Sequence, residues 1–292
     1  MRRSLSSRVI GRLKERRDVP APRLTAGVAP GDAVAHPGIF IIGAQRSGTS
    51  LLRRILDSHS RIASPPESKF IQPLAQVLHD RKAMAGFESM GFSRDEVAAA
   101  MGAFARGFFD RYAAAHGKLR WAEKTPNYVD CLDDIRSLFG PRTRFVVILR
   151  HGLDTAYSLA DPHRTYPALD EYLDAAGGDR SVAGGLFWAD KNRKIEAFRV
   201  ANPEACYRLR YEELTAAPEA ALEPLFEWLG ESWEPGVIDY GDFAHHAGYG
   251  DPDVKRRRRI ELNSGKHAHW PTEVQAAVRR ACGEMLEVLG YE

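Results

Sequence analysis

The chain has 292 residues, 44% hydrophobic and 27% charged, with 41 Lys and Arg against 39 Asp and Glu. That length can bury a full core, and the composition is ordinary for a globular protein. No apolar run approaches the roughly 18 residues of a spanning helix, and near-neutral charge argues against a general nucleic-acid binder.

Residues 1–36 hold eight basic and three acidic residues, with Pro20, Pro22 and Pro30. This predicts a basic, flexible N-terminal extension. Leu5, Val9 and Leu13, at i, i+4 and i+8, also allow a short amphipathic helix able to touch an anionic membrane weakly. The extension lacks the apolar centre of a secretory signal. The three cysteines, Cys131, Cys206 and Cys282, are far apart with no C-x-x-C pair. They are expected to be small buried hydrophobes in a reducing, cytoplasmic setting, without a zinc site or disulfide framework. Residues 37–292 are expected to form a single α/β domain.

Ile39-Phe40-Ile41-Ile42 reads as a short buried strand, and Leu51, Leu52, Ile55 and Leu56 recur at helical spacing. Between them lies a loop with the outline of a nucleotide-binding Walker loop: Gly43, four residues, Gly48, then a hydroxyl at Ser50. The lysine that would reach the end of a triphosphate is replaced by Thr49, and the cation inside the loop is Arg46. The pattern predicts an anion cradle of backbone amides that does not hold ATP or GTP.

Pro65 and Pro66 force an extended turn with Glu67 at its exit. There Glu67 serves either as a general base or as a cap for a helix starting near Ser68. Residues 71–118 read as helices broken at Gly86, Gly91 and Ser93. Their aromatic stripe, Phe104, Phe108, Phe109 and Tyr112, belongs either to the core or to an acceptor pocket. Trp121 to Tyr128 is a short extended run ended by Pro126 at a helix start. Lys124 either reaches a leaving-group oxygen there or is a surface lysine.

Arg144–Arg150 is the clearest strand, apolar on both faces as a central parallel strand is. It ends in Arg150 where a nucleoside triphosphatase carries a metal-binding Asp, and Ser158 follows two helical turns later. Residues 161–180 read as a loop and candidate lid, 184–199 as a helix with Trp188, Ile195 and Phe198 on one side, and 206–211 as a strand. Pro218 opens a helix closed by Gly230. A basic run, 255–259, precedes Asn263-Ser264-Gly265-Lys266, and a last helix is expected from an N-cap at Thr272 to Leu289. The strand–helix alternation predicts a three-layer sandwich of the P-loop type, a mainly parallel sheet flanked by helices.

Together these pieces resemble the sulfotransferases that use 3′-phosphoadenosine-5′-phosphosulfate (PAPS), over most of residues 37–292. Gln45-Arg46-Ser47-Gly48-Thr49-Ser50 looks like that family's loop for the 5′-phosphosulfate, and Arg150 with Ser158 like its 3′-phosphate site. Tyr211-Glu212-Glu213-Leu214 is similar to the motif whose Tyr contacts the adenosine, and Ser264-Gly265-Lys266 through Trp270 to the C-terminal donor clamp. The resemblance implies transfer of a sulfuryl group without a metal. It implies Glu67 as the base, as in the tyrosylprotein class, because Lys124-Thr125-Pro126 lacks the His of the aryl enzymes. Lys124, assisted by Arg46, becomes the stabiliser of the leaving oxygen, with His59, His151 and His163 as weaker candidates for the base. Without an anchor, signal or disulfide pairs, the expected acceptor is a small metabolite, saccharide or lipid. A P-loop kinase with a degenerate loop and a silent nucleotide-binding protein are the competing readings.

Overall fold

A computed structural model describes residues 36–292. The amphipathic helix and flexible extension expected before them lie outside the described residues. Five strands form one parallel sheet: β1 (Ile39–Ile42), β2 (Ile62–Ala63), β3 (Arg120–Glu123), β4 (Arg144–Leu149) and β5 (Cys206–Arg210), in the order β2-β3-β1-β4-β5.

The two-residue period of the strands divides the core. Phe40, Ile42, Phe145, Val147 and Leu149 face one layer, while Ile39, Ile41, Val146 and Ile148 face the other. The first face packs against α4 (Arg94–Ala115), α5 (Leu132–Phe139), α6 (Gly152–Leu159) and α8 (Arg180–Ala201). The second packs against α1 (Thr49–Ser58), α9 (Tyr211–Ala216) and α10 (Pro218–Leu229). Helices on both faces make the expected three-layer sandwich. The chain leaves β1 for one side of the sheet and later returns to its other side, so the strand ends around β1 frame a crevice.

Several boundaries differ from expectation. Gly86 lies inside α3 (Arg81–Ser89). The break after α2 (Ile71–Gln76) falls instead at Asp80, whose carboxylate accepts from the amides of Lys82 and Ala83. Ser93 marks a break as expected: it forms a capping box with Glu96 and starts α4. In the aromatic stripe Phe109 is buried, but Phe104 and Phe108 are exposed. The stretch 161–180 is not an open loop: it contains a 3-10 turn at Pro167–Leu169 and α7 (Asp170–Leu173), pinned by buried Tyr166 and Leu169. Asp179 caps α8, so that helix begins at Arg180. Pro271, not Thr272, holds the N-cap position of α12 (Thr272–Cys282), and Gly283, with φ 58°, separates it from α13 (Met285–Val288). Cys131 and Cys282 are buried and Cys206 is half-buried, and burial pushes their thiols up to about 12, 12 and 11. Among the described residues no helix is long and apolar enough to cross a membrane.

Candidate active site

The loop after β1 is shaped by close approach. A Cβ on Gly43 would lie 2.6 Å from the Ile148 carbonyl oxygen, and one on Gly48 would lie 2.4 Å from the Tyr211 ring. Gly48 also has φ 99° and stands at the N-cap of α1 with no side-chain cap, so the first amides of that helix are left for an anion. Arg46 is left-handed at φ 74°, a conformation costing a non-glycine residue about 1–2 kcal/mol. Arg150 Nη1 donates to its carbonyl oxygen at 3.0 Å and holds it there. Thr49, in the place of the Walker lysine, is buried in the first turn of α1. Ser47 is also fully buried, and its amide donates to the Ala44 carbonyl oxygen at 3.0 Å.

Beside the loop, Lys124 emerges from β3 and Glu67 from the proline turn. Lys124 Nζ donates to Glu67 Oε1 at 2.5 Å and to Ser50 Oγ at 3.2 Å. The lysine is buried, not a surface residue, and burial lowers its pKa, with the Glu67 charge opposing. Arg53 on α1 donates to the carbonyl oxygens of Ser64 and Pro65 at 2.7 and 3.3 Å, fastening the turn that carries Glu67. Glu67 does not cap a helix. α2 begins only at Ile71, and between them Lys69 is left-handed at φ 59° with its ammonium 3.6 Å over the Tyr249 ring.

A second cationic pole follows β4. Arg150 is buried, stacked 4.6 Å from the Tyr211 ring centre, with its Nη2 donating to the Asn263 carbonyl. Ser158, on α6, accepts from Arg46 Nε at 2.9 Å, so Arg46 links the two poles. Asp154 accepts from the amides of Gly265 and His267 at 2.7 and 3.2 Å, which brings Lys266 to the crevice. Burial pushes the Asp154 carboxyl up, but these amides and His267 hold it below its ordinary value.

Two cavities meet here. One of about 420 Å³ is lined by Gln45, Thr49, Ser50, Glu67 and Tyr211; the other, about 400 Å³, by Ser158, Lys266 and Trp270. Arg46, Arg150 and Arg257 line both. The expected site residues other than Ser47 are thus brought together, Lys124 through its bonds to Glu67 and Ser50; Ser47 lies in the loop but lines neither cavity. His59, His151 and His163 line neither cavity. His59 is stacked on Phe226, and His151 accepts from the Leu153 amide at the start of α6.

The sequence reading missed Asp251. Its Oδ2 lies 2.6 Å from Arg46 Nη1, its amide donates to Ser50 Oγ at 3.4 Å, and Arg164 stands 3.5 Å from its other oxygen. A carboxylate of the chain itself therefore occupies the cationic side of the loop. The flanking Gly248 and Gly250, with φ 153° and 156°, mark the turn that delivers it.

Residues 37–235 match the pattern of the sulfotransferase family. The chain belongs to this family. It is 26% identical over 284 residues to the nodulation protein NoeE of Sinorhizobium fredii, covering 87% of this chain and 65% of that one. It is 25% identical over 276 residues to a protein-tyrosine sulfotransferase of Drosophila melanogaster, covering 88% and 52%. The chain thus spans less than two thirds of these relatives' lengths. Among solved structures, the sulfotransferase domain from the curacin biosynthetic pathway superposes with a TM-score of 0.65 at 20% identity, over 88% of this chain and 98% of that one. The sulfotransferase domain of the Synechococcus PCC 7002 olefin synthase gives 0.58 at 17%, over 95% and 98%. These superpositions establish the fold.

Proposed function

We propose that this sulfotransferase moves a sulfuryl group from PAPS to a hydroxyl, or amine, of a small-molecule, saccharide or lipid acceptor. The observation that carries the reading is a pair of separated poles: the start of α1 after Gly48 has no side-chain cap, and Arg150, which lines both cavities, has its Nε buried without a hydrogen-bond partner among the described residues. Helix-start amides and buried guanidinium nitrogens are ordinarily partnered, so two such poles fit a ligand with two anionic ends. The uncapped start of α1 with Gln45, Gly48, Thr49 and Ser50 receives the 5′-phosphosulfate; Arg150, Ser158 and Lys266 receive the 3′-phosphate; Tyr211 packs on the adenosine.

In this mechanism Glu67 takes the proton of the acceptor hydroxyl as its oxygen bonds to sulfur. The bond from sulfur to the bridging phosphate oxygen breaks on the opposite side, and the electron pair stays on that oxygen. Lys124 and Arg46 stabilise the charge that develops there. The products are a sulfate ester and adenosine 3′,5′-bisphosphate. Arg150, where a triphosphatase holds its metal-binding carboxylate, supplies positive charge from the protein itself, so a metal is not required for this role.

Calorimetry with adenosine 3′,5′-bisphosphate tests the donor: micromolar binding, unchanged by EDTA, is expected. Preference for Mg-ATP would instead favour a kinase. Transfer of labelled sulfate from PAPS tests the chemistry. Glu67→Gln is expected to lose about 10²–10⁴-fold in turnover, the usual contribution of a general base, while still binding the bisphosphate. Normal turnover in that variant would remove Glu67 from the mechanism.

A further inference from the structure

Glu123, the last residue of β3, is fully buried although a carboxylate gains nothing from an apolar core. Its Oε1 accepts from the Ser68 amide at 3.2 Å, the Ser68 hydroxyl at 2.8 Å and the Thr125 hydroxyl at 2.8 Å. Ser68 directly follows Glu67, and Thr125 directly follows Lys124. One oxygen atom therefore grips both segments that present the candidate base and the candidate leaving-group cation. The grip extends further: the Ser68 hydroxyl lies 3.0 Å from the Tyr128 hydroxyl, which also accepts from the Ile71 amide at 3.0 Å.

We propose that Glu123 is a positioning residue for sulfuryl transfer, fixing Glu67 and Lys124 relative to each other through Ser68 and Thr125. This rests on the donor and roles proposed above. The other oxygen, Oε2, has no hydrogen-bond partner among the described residues, and burial pushes the carboxyl up to about 7. A proton on Oε2 leaves Oε1 free to accept all three bonds. The neutral acid then holds the two segments without adding a negative charge beside Lys124. An amide offers the same accepting oxygen, which makes Gln the faithful replacement and Ala the disruptive one.

The test compares Glu123→Gln, Glu123→Ala and Ser68→Ala by steady-state transfer from PAPS and by bisphosphate calorimetry. Glu123→Gln is expected to keep kcat within about 3-fold. Glu123→Ala loses up to about 10²-fold in kcat, the scale of a 1 Å misplacement of reacting groups. Ser68→Ala, which keeps the backbone bond and so survives if Glu123→Ala does not fold, loses roughly 10-fold on the same basis. Bisphosphate affinity and KM for PAPS stay within about 3-fold, because Lys124 is the one donor-contacting group that the grip holds, and Arg46, Arg150 and the α1 start are held by other contacts. A folded Ala variant with unchanged kcat overturns the proposal. So does a Gln variant as impaired as Ala, or a parallel loss of donor affinity and kcat. If the wild-type chain transfers no sulfate, the proposed reaction fails. A crystal structure of Ser68→Ala then decides the positioning claim separately: Glu67 displaced from Lys124 supports it, and Glu67 still bonded to Lys124 overturns it.

Discussion

Arg46 illustrates how much a single side chain can be asked to do in a small crevice. It carries a strained backbone, bonds Ser158, and is paired with Asp251 at 2.6 Å in a setting where both side chains are mostly covered. In the proposed reaction an incoming phosphosulfate competes with that carboxylate for the same guanidinium. A partly shielded ion pair is worth about 1 kcal/mol, so Asp251→Asn is expected to bind adenosine 3′,5′-bisphosphate roughly 5-fold more tightly. Calorimetry on the two proteins reads this directly, and equal or weaker binding by Asp251→Asn would show that Asp251 does not compete. Glu123 sets a different residue-scale expectation. Its carboxyl is raised by burial from 4.5 to about 7, so the folded chain binds a proton that the unfolded chain has released over that interval. Stability conferred at low pH is therefore lost as pH rises from about 4.5 to 7, by about 2–4 kcal/mol if the shift is fully expressed. Urea unfolding of wild type and Glu123→Gln at pH 5 and pH 7.5 measures the difference. The wild type should lose stability relative to the Gln protein over this interval, and parallel curves would contradict the shift.

At the scale of elements, the crevice depends on helices that approach closely enough to fix the strand ends. Gly102, in α4, is the tightest case. A Cβ there would lie 1.6 Å from the Leu138 carbonyl oxygen of α5, an atom that cannot rotate away. Gly102→Ala must push the two helices apart and disturb the layer that covers Phe40 and Phe145. Overpacking of this kind costs typically 1–3 kcal/mol, and the lack of any side chain to yield puts this site at the upper end. A drop in the urea midpoint with an unchanged slope is the expected result; an unchanged midpoint would mean that α4 has room to shift. The helices that hold the crevice differ in how they end. α10 is bounded by Pro218 and by Gly230 at φ 74°. By contrast, α6 is capped by His151, whose ring accepts from the Leu153 amide.

Across the whole molecule, what the sequence disclosed follows the range of the interaction responsible. β1, its loop and α1 were readable because strand, glycine turn and helix are written within 20 consecutive residues. Pro218 and Gly230 marked their helix for the same local reason. The stretch 161–180 reads as a loose loop from its Gly and Pro content, whereas its order comes from burying Tyr166 and Leu169 in the core, where the 3-10 turn packs on α8. Asp251 left no local sign of its partner, which lies 205 positions away in the chain. The grip of Glu123 was equally hidden, because it joins two segments 55 positions apart through a residue that reads only as a strand end. Lys124 and Glu67 stand out as separate candidates, but their direct bond depends on β3 lying beside β2, the strand that leads into the Glu67 turn.

The carboxylate already seated on Arg46 has one further consequence. Under the proposed function, loading the crevice is a hand-over between two anions, not the filling of a bare cationic surface. In the proposed reaction, Asp251 stays tethered nearby as the bisphosphate departs and resumes its place, so the guanidinium need not wait for solvent ions and the cycle ends with the chain reclaiming its own charge.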